Sequence, residues 1–229
     1  MPNKTDQRTA GGKRRILVVD DHPVFREGLV RVLNQEKDLE VAGEAANVVD
    51  GLQTALSRRP DLALVDISLD GGSGIDLCRT LRNRIPDIRI LVISMHAENL
   101  HAERALRAGA NGYIMKRENG RKLLEAVRQV LNGQTYVSDT IKEMLLQKLA
   151  TPGDARSQSP EDLLSNREFE VFQLIGKGYG TRQVADTLHL SIKTVESHRE
   201  HIREKLHLAS TFELVQSAIH WTHNEQAPA

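Results

Sequence analysis

The stretch Leu62-Ala63-Leu64-Val65-Asp66 constrains the chain most: an unbroken apolar run ends on an acid and passes directly into Ile67-Ser68-Leu69-Asp70-Gly71-Gly72. A strand apolar on both faces belongs inside a parallel sheet. Its last residue emerges in the crevice at the carboxyl ends of the strands, where such sheets bind ligands. Taken alone, Asp66 reads as a solvated turn acid. Residues from elsewhere in the chain change that reading.

From Arg15 to Gly133 short apolar runs alternate with helical patterns, as in a parallel sheet covered on both faces. Strands are expected from Ile16 to Val19, Val41 to Ala45, Leu62 to Asp66, Ile90 to Ile93 and Gly112 to Met115. The intervening helices are expected to about Leu33, from about Val49 to Arg59, Ile75 to Arg84, Asn99 to Ala108 with Gly109 as C-cap, and Arg121 to Leu131 closed by Gly133. The expected fold is therefore a doubly wound, five-stranded α/β sheet. Its strand ends bring Asp20, Asp21, Asp66, Ser94 and Lys116 into one shallow pocket. Three crowded carboxylates repel one another unless a cation holds them, and hard oxygen ligands suit Mg²⁺. Lys116 can pair with Asp66 or with an added oxyanion, and Ser94 can donate to the same oxyanion. An aspartate is a known nucleophile toward phosphoryl groups, and fixed groups here neutralise the charge that builds up in transfer.

The second half shows only helical periodicity, from Leu163 to Trp221. Ser165 or Asn166 caps a helix carrying Phe169, Val171, Phe172, Leu174 and Ile175, and Thr181 caps a short one with Val184, Ala185 and Leu188. After the turn His189-Leu190-Ser191 a third helix runs to about Leu206. A last one spans about Thr211 to Trp221, with Phe212 and Val215 expected in the core. A short helix, a tight turn and a longer helix make a helix-turn-helix within an all-α, four-helix domain. The third helix has a thin apolar stripe of Val195, Ile202 and Leu206. Lys193, Thr194, Glu196, Ser197, Arg199, Glu200, His201 and Arg203 face outward, where its start could read base edges of double-stranded DNA and its cations contact phosphate. The like-charge pairs Glu196/Glu200 and Glu200/Glu204 would weaken an isolated helix, and an acid near the start can accept from cytosine N4. The plainer alternative is an ordinary solvated amphipathic helix.

Between the halves, Ile141, Leu145 and Leu149 lie at helical spacing, and Thr151 to Pro160 has the turn formers and charge of a tether. The expected divisions are a tail over 1–14, a domain over 15–134, a linker with a short helix over 135–160, a second domain over 161–222 and a tail over 223–229. Lysine plus arginine equals aspartate plus glutamate, 31 each, so net charge neither proposes nor excludes a nucleic-acid partner. A single cysteine, Cys78, rules out an intramolecular disulfide and fits a reducing compartment. The start has no secretion-signal pattern and no apolar run could cross a bilayer, so a cytoplasmic protein with no membrane partner is expected.

Asp20-Asp21, Asp66, Ser94 and Lys116, in this order along the strands, resemble the flavodoxin-like receiver domain of a two-component response regulator. Leu164-Ser165-Asn166-Arg167-Glu168, Gly178 through Ala185 and Ser191 through Arg199 resemble the LuxR-type output domain. The pairing resembles the NarL/FixJ family over about Arg14 to Trp221. The resemblance implies phosphorylation of Asp66 by a sensor histidine kinase, with Mg²⁺ held by Asp21, Asp66 and the Ser68 backbone carbonyl, assisted by Asp20. It implies a switch aromatic at Tyr113, and Ser68 and His96 as residues that tune attack of water on the acyl phosphate. It also implies a homodimer on DNA when phosphorylated, with the last helix as dimer surface. Asp70 and Arg117 stand where the family usually has prolines, so no cis peptide is expected after Lys116, and Gly180-Thr181 replaces a usual Ser-Asn. Two rival readings are a Mg²⁺-dependent phosphatase of the aspartyl-phosphate kind and a protein-interaction module that never binds DNA. The phosphatase would want a second acid where Ser68 stands.

Overall fold

In the computed structural model, which describes residues 12–69, 72–95, 98–150 and 160–226, the apolar runs form β1 (Arg14–Val19), β2 (Leu39–Ala45), β3 (Leu62–Asp66), β4 (Arg89–Ser94) and β5 (Gly112–Met115). All pairings are parallel and the sheet order is β2-β1-β3-β4-β5. The order reverses between β1 and β3, so the crevice of a doubly wound sheet opens beside their carboxyl ends. Register aligns Val19 with Val65, Asp66 with Ile93 and Ser94 with Met115, which sets the chemically active residues at one level.

Helices α1 (Pro23–Asn34), α2 (Val48–Arg58), α3 (Gly74–Arg84), α4 (Glu98–Arg107) and α5 (Gly120–Leu131) cover the sheet. Leu29 and Leu33 of α1 and Leu123, Val127 and Val130 of α5 pack with Ile16, Val18, Leu62, Leu64 and Leu91. The alternate residues Leu17, Val19, Ala63, Val65, Ile90 and Val92 face the other way, onto α2, α3 and α4. Every residue of β3 is buried because both of its faces are covered, which is the physical origin of its uninterrupted apolar run. Cys78 packs in this second core, where burial pushes its thiol up to about 12.

The helix starts follow local capping. Asn47, Ser73 and Asn119 accept from the backbone N–H of Asp50, Ile75 and Lys122 at 2.8, 3.2 and 3.0 Å. A ladder too short to read from sequence pairs Ser68–Leu69 with Gly72–Ser73 and brings α3 back under β3. Gly74 then lies so close that a Cβ there would overlap the Asp66 carbonyl oxygen, and its N–H donates to Ile67 O at 2.7 Å. Gly109 follows α4 in the left-handed region, as expected of a residue closing a helix. The amphipathic segment beyond forms α6 (Asp139–Ala150), whose Ile141 is buried with Val137 in the core beneath α4, flanked by Met144 and Leu145.

The chain divides into two compact units, Met1–Thr151 and Pro152–Ala229. The second contains α7 (Pro160–Leu163), α8 (Asn166–Gly176), α9 (Thr181–Thr187), α10 (Ile192–Lys205) and α11 (Thr211–Gln226) around Phe169, Phe172, Val184, Val195, Ile202 and Leu214. Ser165 and Glu168 form a reciprocal capping box on α8: Ser165 N–H donates to Glu168 Oε2 at 2.7 Å and Glu168 N–H to Ser165 Oγ at 3.4 Å. The α9 cap position falls on Gly180 rather than Thr181, and Gln183 Oε1 accepts from the Gly180 N–H at 2.9 Å. Phe212, expected in the core, is 69% exposed instead. Leu214, Ala218 and Trp221 turn inward, and Phe212 lies two residues from Leu214, about 200° around the helix. Trp221 sits edge-on to Phe169 with ring centroids 5.1 Å apart, and α11 continues past the expected end at Trp221 to Gln226.

Candidate functional site

Four strand ends build the pocket. Asp20 and Asp21 follow β1, Asp66 ends β3, Ser94 ends β4 and Lys116 follows β5, so all five residues singled out in the sequence lie at one end of the sheet. Asp20, Asp66 and Ser94 are buried. The Lys116 ammonium stands 2.7 Å from Asp66 Oδ2 and 2.8 Å from Asp20 Oδ2, itself almost without solvent. The Phe25 ring centroid lies 4.7 Å from that ammonium, adding a cation–π contact. Burial pushes the Asp66 carboxyl up to about 6. The nearby lysine opposes the shift, and the charges of Asp20 and Asp21 add to it.

His22, which reads from sequence as a solvated neighbour of the acid pair, takes part. Its Nδ1 lies 2.7 Å from Asp21 Oδ1, 3.3 Å from Asp20 Oδ1 and 3.8 Å from Asp66 Oδ2. Arg26 donates to the Asp20 carbonyl oxygen at 2.5 Å and fixes the turn after β1. Neither residue carries a sequence signal of its own, although a position directly after an acid pair at a strand end was a place to look.

The donor set fits a hard divalent cation. Ligand atoms of Asp20, Asp21, His22 and Asp66 all lie within 4.8 Å of one another. Asp20 Oδ2 and Asp21 Oδ1 are buried and form no directed hydrogen bond, so their approach to Lys116 and His22 is electrostatic alone. Orphaned carboxylate oxygens of this kind suit Mg²⁺, which takes oxygen ligands and keeps several waters. Ser68, half-buried, stands two residues beyond Asp66 at the start of the short ladder.

Tyr113 is buried on β5, and burial moves its phenol well above its ordinary range. Among the described residues there is no cis peptide bond, and the link from Lys116 to the exposed Arg117 is trans. His96 and Asp70 lie outside the described residues, as do 1–11, 151–159 and 227–229.

On α10, Lys193, Glu196, Ser197 and Glu200 are exposed. Ser191 caps the helix by accepting from the Thr194 N–H at 3.1 Å, and the two hydroxyls are 2.7 Å apart. Arg199 donates to Thr181 Oγ1 on α9 at 3.2 Å. Arg203 pairs with Glu200 at 2.9 Å and donates to the Ala209 carbonyl oxygen at 3.2 Å. Glu200 therefore has an i,i+3 partner that offsets the like-charge contacts expected of it. The exposed polar residues run along the whole helix, and Arg199 and Arg203 are shared with the scaffold.

Comparison with known proteins matches residues 16–128 to the response regulator receiver domain and residues 162–218 to the bacterial regulatory proteins of the luxR family. The oxygen regulatory protein NreC of Staphylococcus carnosus is 38% identical over 209 residues, covering 90% of this chain and 96% of the relative. A LuxR-family two-component response regulator from an Aurantimonas species superimposes with a TM-score of 0.57 at 31% identity, over 61% of this chain and all of that one. The response regulator ChrA of a heme-sensing two-component system does so with a TM-score of 0.50 at 29% identity, over 92% of this chain and 98% of that one.

Proposed function

We propose, from the premise that this chain belongs to the two-component response regulators that join a receiver domain to a LuxR-type DNA-binding domain, that Asp66 is the residue whose phosphorylation switches its control of transcription. One observation carries the assignment: a buried carboxylate at the end of the central strand, 2.7 Å from a buried ammonium and flanked by two further acids.

In this reading the ionised Asp66 oxygen attacks the phosphorus of a phosphohistidine on a sensor kinase. The P–N bond breaks, the electron pair leaves with the imidazole, and Asp66 becomes an acyl phosphate. Asp21, Asp66 and the Ser68 backbone carbonyl, assisted by Asp20, would hold Mg²⁺, which would offset the charge of the transferring group. Lys116 exchanges one carboxylate oxygen for a phosphoryl oxygen, and Ser94 donates to another. The added charge, about −1.5 to −2 as for other protein phosphates, draws Ser94 toward the phosphoryl group. Tyr113 is buried on the strand paired with the one that ends at Ser94, so that movement changes the tyrosine's contacts on β5. The result is a population shift between two receiver arrangements, with a covalent ligand.

The output half then pairs as a homodimer on double-stranded DNA. Lys193 and Arg199 contact phosphate, and Thr194, Glu196, Ser197 and Glu200 face base edges, with Arg203 beside them. Ser68 and His96 set how fast water removes the phosphoryl group, so the only chemistry is self-directed transfer and autodephosphorylation. The expected place of action is the cytoplasm, which a single buried thiol at Cys78 suits.

Intact-mass measurement after incubation with a small-molecule phosphodonor and Mg²⁺ tests the acceptor. Wild type gains one phosphoryl group and Asp66→Asn gains none. Equal labelling of the folded variant would move the acceptor elsewhere, and turnover of an ordinary phosphate ester by wild type would favour the phosphatase reading.

A further inference from the structure

A second cluster of ligating side chains lies in the other unit, away from the acidic pocket. Glu168 on α8 and His198 and His201 on α10 bring one ligand atom each within 4.8 Å of one another. The two histidines are three residues apart, so they share one face of α10, and Glu168 faces them from the first turn of α8. We propose that this Glu-His-His cluster binds a borderline divalent transition metal, Zn²⁺ first among them, and clamps α10 to α8.

Three details fit a metal better than an ordinary polar contact. Glu168 divides its oxygens: Oε2 accepts from the Ser165 N–H at 2.7 Å and from the Lys205 ammonium at 2.6 Å, whereas Oε1 faces His201 Nδ1 across 3.8 Å. That gap is too long for a hydrogen bond. It is close to the separation of roughly 3.3 Å that tetrahedral Zn²⁺ imposes on ligands bound at about 2.0–2.1 Å. His198 Nδ1 is buried with no hydrogen-bond partner among the described residues. Two imidazoles and one carboxylate are the donors Zn²⁺ shares with other late first-row ions, with a fourth position left for water.

Occupancy joins α10 to the capping box of α8 through the half-buried His198 and the exposed His201. The metal therefore acts on the order and stability of the output half. Lys205 is its competitor: its ammonium sits on the same carboxylate and repels an incoming cation.

The test uses the full chain in saturating Mg²⁺, titrated with Zn²⁺ by calorimetry, with Co²⁺ absorption as a coordination readout. His201 is exposed, so His201→Asn removes a ligand without opening the core. Wild type is expected to bind one Zn²⁺ equivalent that His201→Asn weakens roughly tenfold or more. Lys205→Gln is expected to tighten it, and Co²⁺ to show a tetrahedral spectrum that His201→Asn abolishes. Zn²⁺ binding of unchanged affinity in folded His201→Asn overturns the site. So does Zn²⁺ binding that vanishes in Asp21→Asn while surviving in His201→Asn, because the metal would then sit in the acidic pocket.

Discussion

Asp66 and Glu200 carry the same charge in opposite settings. Asp66 is nearly without solvent, shares one ammonium with Asp20 and is pushed up to about 6 by burial. Glu200 lies in water and holds Arg203 at 2.9 Å one turn away. A buried ionic group is expensive to desolvate and depends on its partner, whereas an exposed pair contributes about 0–1 kcal/mol. The receiver therefore holds chemistry in a pocket whose charges are stability-critical, and the output helix presents exposed charges, such as Lys193 and Glu196, that folding hardly needs. Substitutions in the first region should alter folding and chemistry together; in the second, recognition alone.

The sharpest way to break this contrast is Lys116→Met, which leaves two buried carboxylates without their cation. In the absence of Mg²⁺ at pH 8 the receiver is expected to lose roughly 3–5 kcal/mol by urea denaturation, with part of the loss recovered on adding Mg²⁺. A loss as small as that of a surface pair would remove the distinction between the two regions.

Asp66→Asn should act in the opposite direction. The folded carboxyl titrates near 6, above the ordinary value of 3.8, so the folded state binds the extra proton between those values. Stability from this group is then fully present below the unfolded pKa and is lost as pH rises through about 6. At pH 8 without metal the neutral variant is expected to be more stable by about 1–3 kcal/mol, and its stability should lack the fall across pH 4–6. His198 in the output half has the opposite sign. Its pKa is lowered by burial, so its contribution is present above the unfolded histidine value and is lost as pH falls from there through the lowered folded value.

Ser165→Ala removes one half of the α8 capping box and should destabilise the second unit by about 1 kcal/mol, leaving the receiver transition in place. Lys193→Ala should change stability by less than about 0.5 kcal/mol. It should nevertheless weaken binding to all DNA sequences alike and reduce the salt dependence of binding by about one phosphate contact. A folding defect in Lys193→Ala would show that the exposed helix face is part of the scaffold.

The receiver pocket was legible because β1, β3, β4 and β5 run apolar into their carboxyl ends and parallel pairing brings those ends together, so Asp66, Ser94 and Lys116 needed only their place in the order. His22 was not legible, since its contacts to three carboxylates depend on the turn that Arg26 ties to the Asp20 carbonyl. Gly74 was not legible either, because the closeness that demands glycine arises only when the short ladder folds α3 back onto the Asp66 carbonyl. In the output half the four longer helices and a cap at Ser165 or Asn166 were readable from local chemistry, and Ser165 is the one that caps α8, whereas the capping role of Ser191 was not read. The orientation of α11 was not, because Phe212 and Leu214 are both apolar and only packing against α8 decides which turns inward. The sharing of Arg199 with Thr181 and of Arg203 with Ala209 was likewise invisible, both being tertiary bonds of residues that look like free cations in sequence.

The central claim, that chemistry at Asp66 governs recognition by α10, is tested most directly by selection from a random duplex library. The full chain is used at fixed salt with Mg²⁺, with and without a phosphoryl mimic, and Asp66→Asn is the control. The account predicts enrichment of an inverted repeat by the mimic-loaded wild type only. A folded protein that enriches the same sequence in every arm, or none in any, contradicts it.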